Sequence, residues 1–110
     1  MKEMSEEQAM KYLQDTLFVV GGKWKLPILR VIHNGNYRFR DIQRAVPSIT
    51  TRVLSKELKH LEENKLIIRT VYHTPLAVEY KMSEYTRSLL PVIKAMIMWG
   101  KNHRKKISEK

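Results

Sequence analysis

Thr50, Thr51, Arg52, Ser55, Lys56 and Lys59 crowd into ten positions of the chain. Hydroxyl and guanidinium groups form directional hydrogen bonds and lysine ammonium groups act as point charges, so together they suit recognition of a polyanion. Groups for covalent chemistry are missing. The 110 residues include no cysteine, which removes thiol nucleophiles, thiolate metal sites, disulfides and thiol-based sensing. His33, His60, His73 and His103 show no metal-ligand spacing, and no phosphate-cradling glycine loop, G-x-S-x-G or H-E-x-x-H pattern occurs. Glu62 and Glu63 are a charged helix end with no partner for acid/base work. The expectation is a protein that is not an enzyme and has no cofactor.

The charge follows the same residues. There are 21 Lys+Arg against 11 Asp+Glu, a formal net charge of +10. Residues 23–60 hold Lys23, Lys25, Arg30, Arg38, Arg40, Arg44, Arg52, Lys56 and Lys59 against Asp41 and Glu57, a net +7. Residues 1–22 are net −2, residues 61–88 balance, and residues 89–110 are net +5. With 43% hydrophobic residues the chain is too apolar for a disordered basic tail. It reads as one domain over 1–110 with a single core. The start, Met1 to Glu7, is acidic and lacks an apolar signal segment, and the longest apolar runs, Leu17 to Val20 and Ala95 to Trp99, fall far short of a membrane span. Neither export nor a membrane is expected, which points to the cytoplasm.

These residues need elements to position them. Ser5 and Gln8 are spaced as a capping box, followed by Ala9, Met10, Leu13, Leu17 and Val20 at helical intervals up to Gly21-Gly22. Trp24, Leu26, Ile28, Leu29 and Ile32 mark a second helix, with Pro27 in its first turn and Asn34-Gly35 as its stop. Tyr37 to Phe39 reads as an extended link, and Arg40 to Val46 as a two-turn helix with Phe39, Ile42 and Val46 on one side, ended by Pro47. Trp24, Tyr37 and Phe39 are assigned to the core. Residues 49–64 give the clearest helix, with Ser48 or Thr50 as N-cap. Leu54, Leu58 and Leu61 share its buried face, opposite Arg52, Lys56, Lys59 and Glu63, with Thr51 and Ser55 flanking the polar side. Leu66 to His73 and Ala77 to Met82 are strand-like, with a turn at Thr74-Pro75-Leu76. A long helix runs from about Ser83 to residue 104, and Pro91 should kink its interior.

The fold class is mainly α with a small β-hairpin: a short helix, a tight turn and a polar-faced helix over about 39–64, with a hairpin over about 66–82. This is a winged helix-turn-helix, whose second helix fits the DNA major groove. Thr50, Thr51 and Ser55 can reach base edges, Arg52 can bond guanine O6 and N7 bidentately, and Lys56 and Lys59 suit phosphates. Arg38 and Arg40 precede the short helix as further phosphate candidates. Arg104, Lys105 and Lys106 read as a solvated tail.

Five strings, in order, carry a resemblance: Gly22-Lys23-Trp24-Lys25, Arg38-Phe39-Arg40-Asp41-Ile42, Val46-Pro47-Ser48-Ile49-Thr50, Leu54-Ser55-Lys56-Glu57-Leu58-Lys59 and Val78-Glu79-Tyr80. From about Gly21 to Gly100 the chain resembles the HxlR family of bacterial winged helix-turn-helix transcription regulators. That resemblance implies a homodimeric, cytoplasmic DNA-binding regulator, a repressor by family habit, with residues 49–64 as the recognition helix. Relatives often sense oxidants through a cysteine near the N-terminus; this chain has none. They also commonly carry Pro-Pro-Arg at the hairpin, where this chain has Pro75-Leu76-Ala77. His73 and Thr74 are then the wing-tip candidates.

Dimerisation also has a physical argument. The helices at about 5–20 and 83–104 hold more apolar surface than one small domain covers, with Tyr12, Leu13, Leu17 and Phe18 on the first and Leu89, Ile93, Met96, Ile97 and Trp99 on the last. A twofold dimer would bury them and place two recognition helices about 34–36 Å apart on a pseudo-palindromic duplex. The competing readings are a winged-helix protein-interaction module without an operator and a nonspecific DNA coat. A small effector between the terminal helices and the winged core is compatible with this layout, and no residue set names its chemistry.

Overall fold

A computed structural model describes residues 3–109; Met1 and Lys2 of the acidic start lie outside the described residues. The elements run α1 (Glu6–Val20), α2 (Lys25–His33), α3 (Phe39–Ala45), α4 (Thr51–Glu63), β1 (Ile67–His73), β2 (Leu76–Met82), a 3₁₀ segment (Glu84–Leu89) and α5 (Leu90–Ser108). Five helices and an antiparallel hairpin thus form the winged helix-turn-helix that the periodicity predicts.

The core is built where α2, α3, α4 and the base of the hairpin meet. Ile28, Ile32, Ile42, Leu54, Leu58, Leu61, Leu66 and Ile67 are fully buried there, and Trp24 and Phe39 pack against them half-buried. Each such side chain contributes about 1.5–3 kcal/mol relative to exposure, which makes this cluster the main source of stability. Tyr37, in contrast, lies at the surface with Lys81 Nζ 5.1 Å from its ring centroid. Its carbonyl accepts a 2.7 Å hydrogen bond from the Tyr80 amide, so the extended link is tied to β2.

Caps set the helix starts. Ser5 Oγ accepts from the Gln8 amide at 3.1 Å and Gln8 Oε1 accepts from the Ser5 amide at 3.2 Å, completing the capping box. Thr50, rather than Ser48, caps α4 by accepting the Val53 amide at 3.2 Å. Ser48 lies in the turn at a φ of +70°. A non-glycine residue there is strained. The turn holds it because Val46 and Ile49 are both buried on either side.

Besides the core assignment of Tyr37, three further expectations are corrected. Pro91 does not kink a continuous helix: residues 84–89 form a 3₁₀ segment and Pro91 falls in the first turn of α5. A missing amide hydrogen costs nothing in that turn. Leu89, expected at a dimer surface, packs instead against the chain's own core. The hairpin turn holds only Thr74 and Pro75, because Leu76 already belongs to β2, paired with His73.

Both outer helices stand apart from the core. α1 buries only Val20, and α5, which continues directly from the 3₁₀ segment, buries no residue. The result is an elongated outline of 55 × 40 × 23 Å.

Candidate nucleic-acid interface

Packing alone decides which face of α4 is free. With Leu54, Leu58 and Leu61 sunk in the core, Thr51, Arg52, Ser55, Lys56 and Lys59 are left exposed. Thirteen residues make a rod about 20 Å long, and with side chains it is about as wide as the major groove. The first turn of α4 carries no acid. Its amide-rich end therefore adds a positive dipole beside Arg52.

Glu57 is the acid nearest this face in sequence, and it is turned away from it. Its Oε1 lies 2.8 Å from Lys25 Nζ on α2, with the two side chains 18% and 13% exposed. That oxygen accepts no hydrogen bond of suitable angle, so the contact is a close Coulombic pair. Neutralised there, Glu57 does not oppose Lys56 and Lys59. Glu57→Gln is expected to cost about 1–3 kcal/mol, because it strands a largely desolvated ammonium. Urea unfolding of the variant checks this; an unchanged midpoint would show the pair to be energetically neutral.

Other candidates have defined surroundings. The Thr50 hydroxyl is engaged as the cap of α4, which ties that side chain to the helix start. Thr51 Oγ1 accepts from Gln43 Nε2 at 3.1 Å, and the same amide donates to the Ile49 carbonyl at 3.3 Å. Gln43 thus fixes both the turn and the first hydroxyl of the polar face. Arg38 is exposed with Nε 3.9 Å from Glu79 on β2, and Lys81 approaches the other oxygen of that carboxylate at 3.8 Å. Arg40 is exposed on α3. His73 and Thr74 lie exposed at the hairpin tip beside Leu76. The positioning roles of Gln43, Lys25, Glu57 and Glu79 leave no periodic signal, because each is paired with a residue outside its own element.

Among the described residues no cluster of three His, Asp or Glu side chains could hold a metal ion. No helix of the described chain is long and apolar enough to cross a membrane.

A short helix turned tightly into a helix with a basic, hydroxyl-bearing outer face, followed by a hairpin, defines a DNA-binding protein of the winged helix-turn-helix class. The HxlR-like helix-turn-helix family matches residues 19–108. The chain belongs to this family of transcription regulators. It is 41% identical over 92 residues to the HTH-type transcriptional regulator YtcD of Bacillus subtilis (strain 168), covering 83% of this chain and 73% of that protein. An HTH-type transcriptional regulator of Methanothermobacter thermautotrophicus is 35% identical, covering 98% of this chain and 86% of that protein. Among solved structures, the redox regulator HypR in its reduced form superposes with a TM-score of 0.74 at 38% identity, over 86% of this chain and 95% of that one.

Proposed function

We propose that this regulator binds a pseudo-palindromic operator as a homodimer and represses transcription. The observation that carries the reading is the outer face of α4, where Arg52, Ser55, Lys56 and Lys59 are exposed together while Glu57 is drawn inward to Lys25. In this reading Arg52 and Ser55 meet base edges, with Thr51 held ready by Gln43. Lys56, Lys59 and Arg40 meet phosphates. Arg38, shared with Glu79, serves the wing side, and His73 and Thr74 approach the flanking minor groove. Two copies join through α1 and α5, whose exposed apolar side chains would otherwise face water. Such a regulator works in the cytoplasm.

HypR is described as a redox regulator, and YodB, another structural neighbour, has a quinone-bound form. This chain contains no cysteine. Signal reception here therefore does not run through a thiol.

Selection of binding sites from random duplex DNA, followed by salt titration, tests the proposal. A recovered palindrome, with affinity falling as about the −0.9Z power of salt for Z phosphate contacts, supports it. Recovery of no motif overturns sequence-specific binding. Arg52→Ala is expected to lose about 1–3 kcal/mol and to relax preference at one base position, whereas Lys59→Ala weakens all sequences alike and lowers the salt slope by about 1. Uniform losses from both variants would remove base reading from Arg52.

A further inference from the structure

The core holds one buried polar side chain among the described residues, Thr86, at 4% exposure. Its hydroxyl donates to the Leu66 carbonyl at 2.5 Å. Three residues earlier, Ser83 donates its amide to the same carbonyl at 3.0 Å and its hydroxyl to the Lys65 carbonyl at 2.6 Å. Both lone pairs of Leu66 are thereby used. Each hydroxyl has one proton, so with both aimed at carbonyls the 3.0 Å approach of Ser83 Oγ to Thr86 Oγ1 is a packing contact.

The location of these bonds gives them their meaning. Lys65, at a φ of +66°, and Leu66 form the sharp exit from α4, held by amide bonds back to Glu62 and Leu61. Ser83 and Thr86 stand at the start of the 3₁₀ segment that carries α5. Since α5 continues directly from that segment and buries no residue of its own, its direction is set at this joint. An apolar residue at position 86 would fill the same space, but it would not fix the rotation of the segment as directional bonds to two successive carbonyls do.

We propose that Ser83 and Thr86 are positioning residues that lock the angle between α5 and the recognition helix, and so fix the half-site spacing that the dimer accepts. This rests on the dimer reading given above. Moving one half-site by a base pair rotates it by roughly 35° about the DNA axis, and a rigid joint cannot follow such a change. A joint without its hydroxyl bonds can.

The absence of cysteine makes the test direct, because Glu62→Cys near the end of α4 gives one spin-label site per protomer. Pulsed dipolar spectroscopy of the labelled full chain should give a narrow distance distribution between protomers. Thr86→Val and Ser83→Ala should broaden it, and Thr86→Ser should restore it. Ser83→Ala removes a hydroxyl without leaving a core cavity, which guards against simple misfolding. On the selected operator, inserting one base pair between half-sites should cost the unaltered joint about 10-fold or more and the two altered joints within about 3-fold, with single half-site affinity unchanged. A distribution and a spacing penalty that stay the same in Thr86→Val and Ser83→Ala overturn the joint while leaving the dimer intact. The lack of any interprotomer distance in the labelled parent overturns the dimer, and the spacing role with it.

Discussion

Ile97→Asp is expected to yield a monomer and to lower affinity for a duplex with two half-sites by about 10²- to 10⁴-fold. Ile97 is 62% exposed on a helix that buries nothing within its own chain, and Trp99 beside it is 68% exposed. Met96 lies on the same helix, and Tyr12, Leu13, Leu17 and Phe18 present a second exposed apolar set on α1. Ile93 is half-buried, so its contribution to a partner surface is smaller. A buried carboxylate at position 97 would lack a partner, and its desolvation would oppose association. The winged core is not involved, so single half-site affinity and the thermal unfolding of the protomer should change little. Sedimentation velocity at micromolar concentration reads the outcome. A dimeric Ile97→Asp protein, or a monomeric parent, would place the interface elsewhere.

Leu58→Ala should act on the other half of the molecule and remove about 2–5 kcal/mol of folding stability. Leu58 is fully buried at the middle of α4, on the face shared with Leu54 and Leu61. Truncation loses its transfer free energy and leaves a cavity that a well-packed core only partly closes. Domains of this kind are stable by about 5–15 kcal/mol, so the loss is a large share of the whole. The measurement is denaturant unfolding of Leu58→Ala beside the parent, followed by operator binding at a temperature where the variant stays folded. Residual affinity close to the parent's would show that α4 keeps its docking angle; a stability loss below about 1 kcal/mol would contradict the tight packing at this position.

Much of this arrangement is legible in the sequence because several local signals agree. Ser5 and Gln8 mark the start of α1, Asn34 and Gly35 the end of α2, and the three leucines of α4 fix its buried face and hence its exposed one. Pro91 shows where periodicity misleads. A 3₁₀ turn advances about 120° per residue and an α-helix about 100°, so over the five steps from Glu84 to Leu89 the phase drifts by about 100°. The change of helix type leaves Pro91 in the first turn of α5 and Leu89, at the end of the 3₁₀ segment, half-buried against the core. On the DNA-facing side, the identity of the exposed residues is readable while their orientation is not. Nothing in the spacing shows that Gln43 grips Thr51 or that Lys25 withdraws Glu57, and it leaves the cap of α4 open between Ser48 and Thr50.

The hairpin brings a different consequence. Among the described residues the sheet has two strands, so the outer edge of β1 offers unpaired amides and carbonyls along Ile67 to His73. Ile68, Val71 and Tyr72 are exposed on this strand, and β-branched and aromatic residues there are the composition that invites sheet extension from one molecule to the next. Arg69 stands exposed in the middle of the run, and stacking a second copy in register would set two guanidinium groups against each other. A charge in the middle of an exposed strand edge disfavours such stacking.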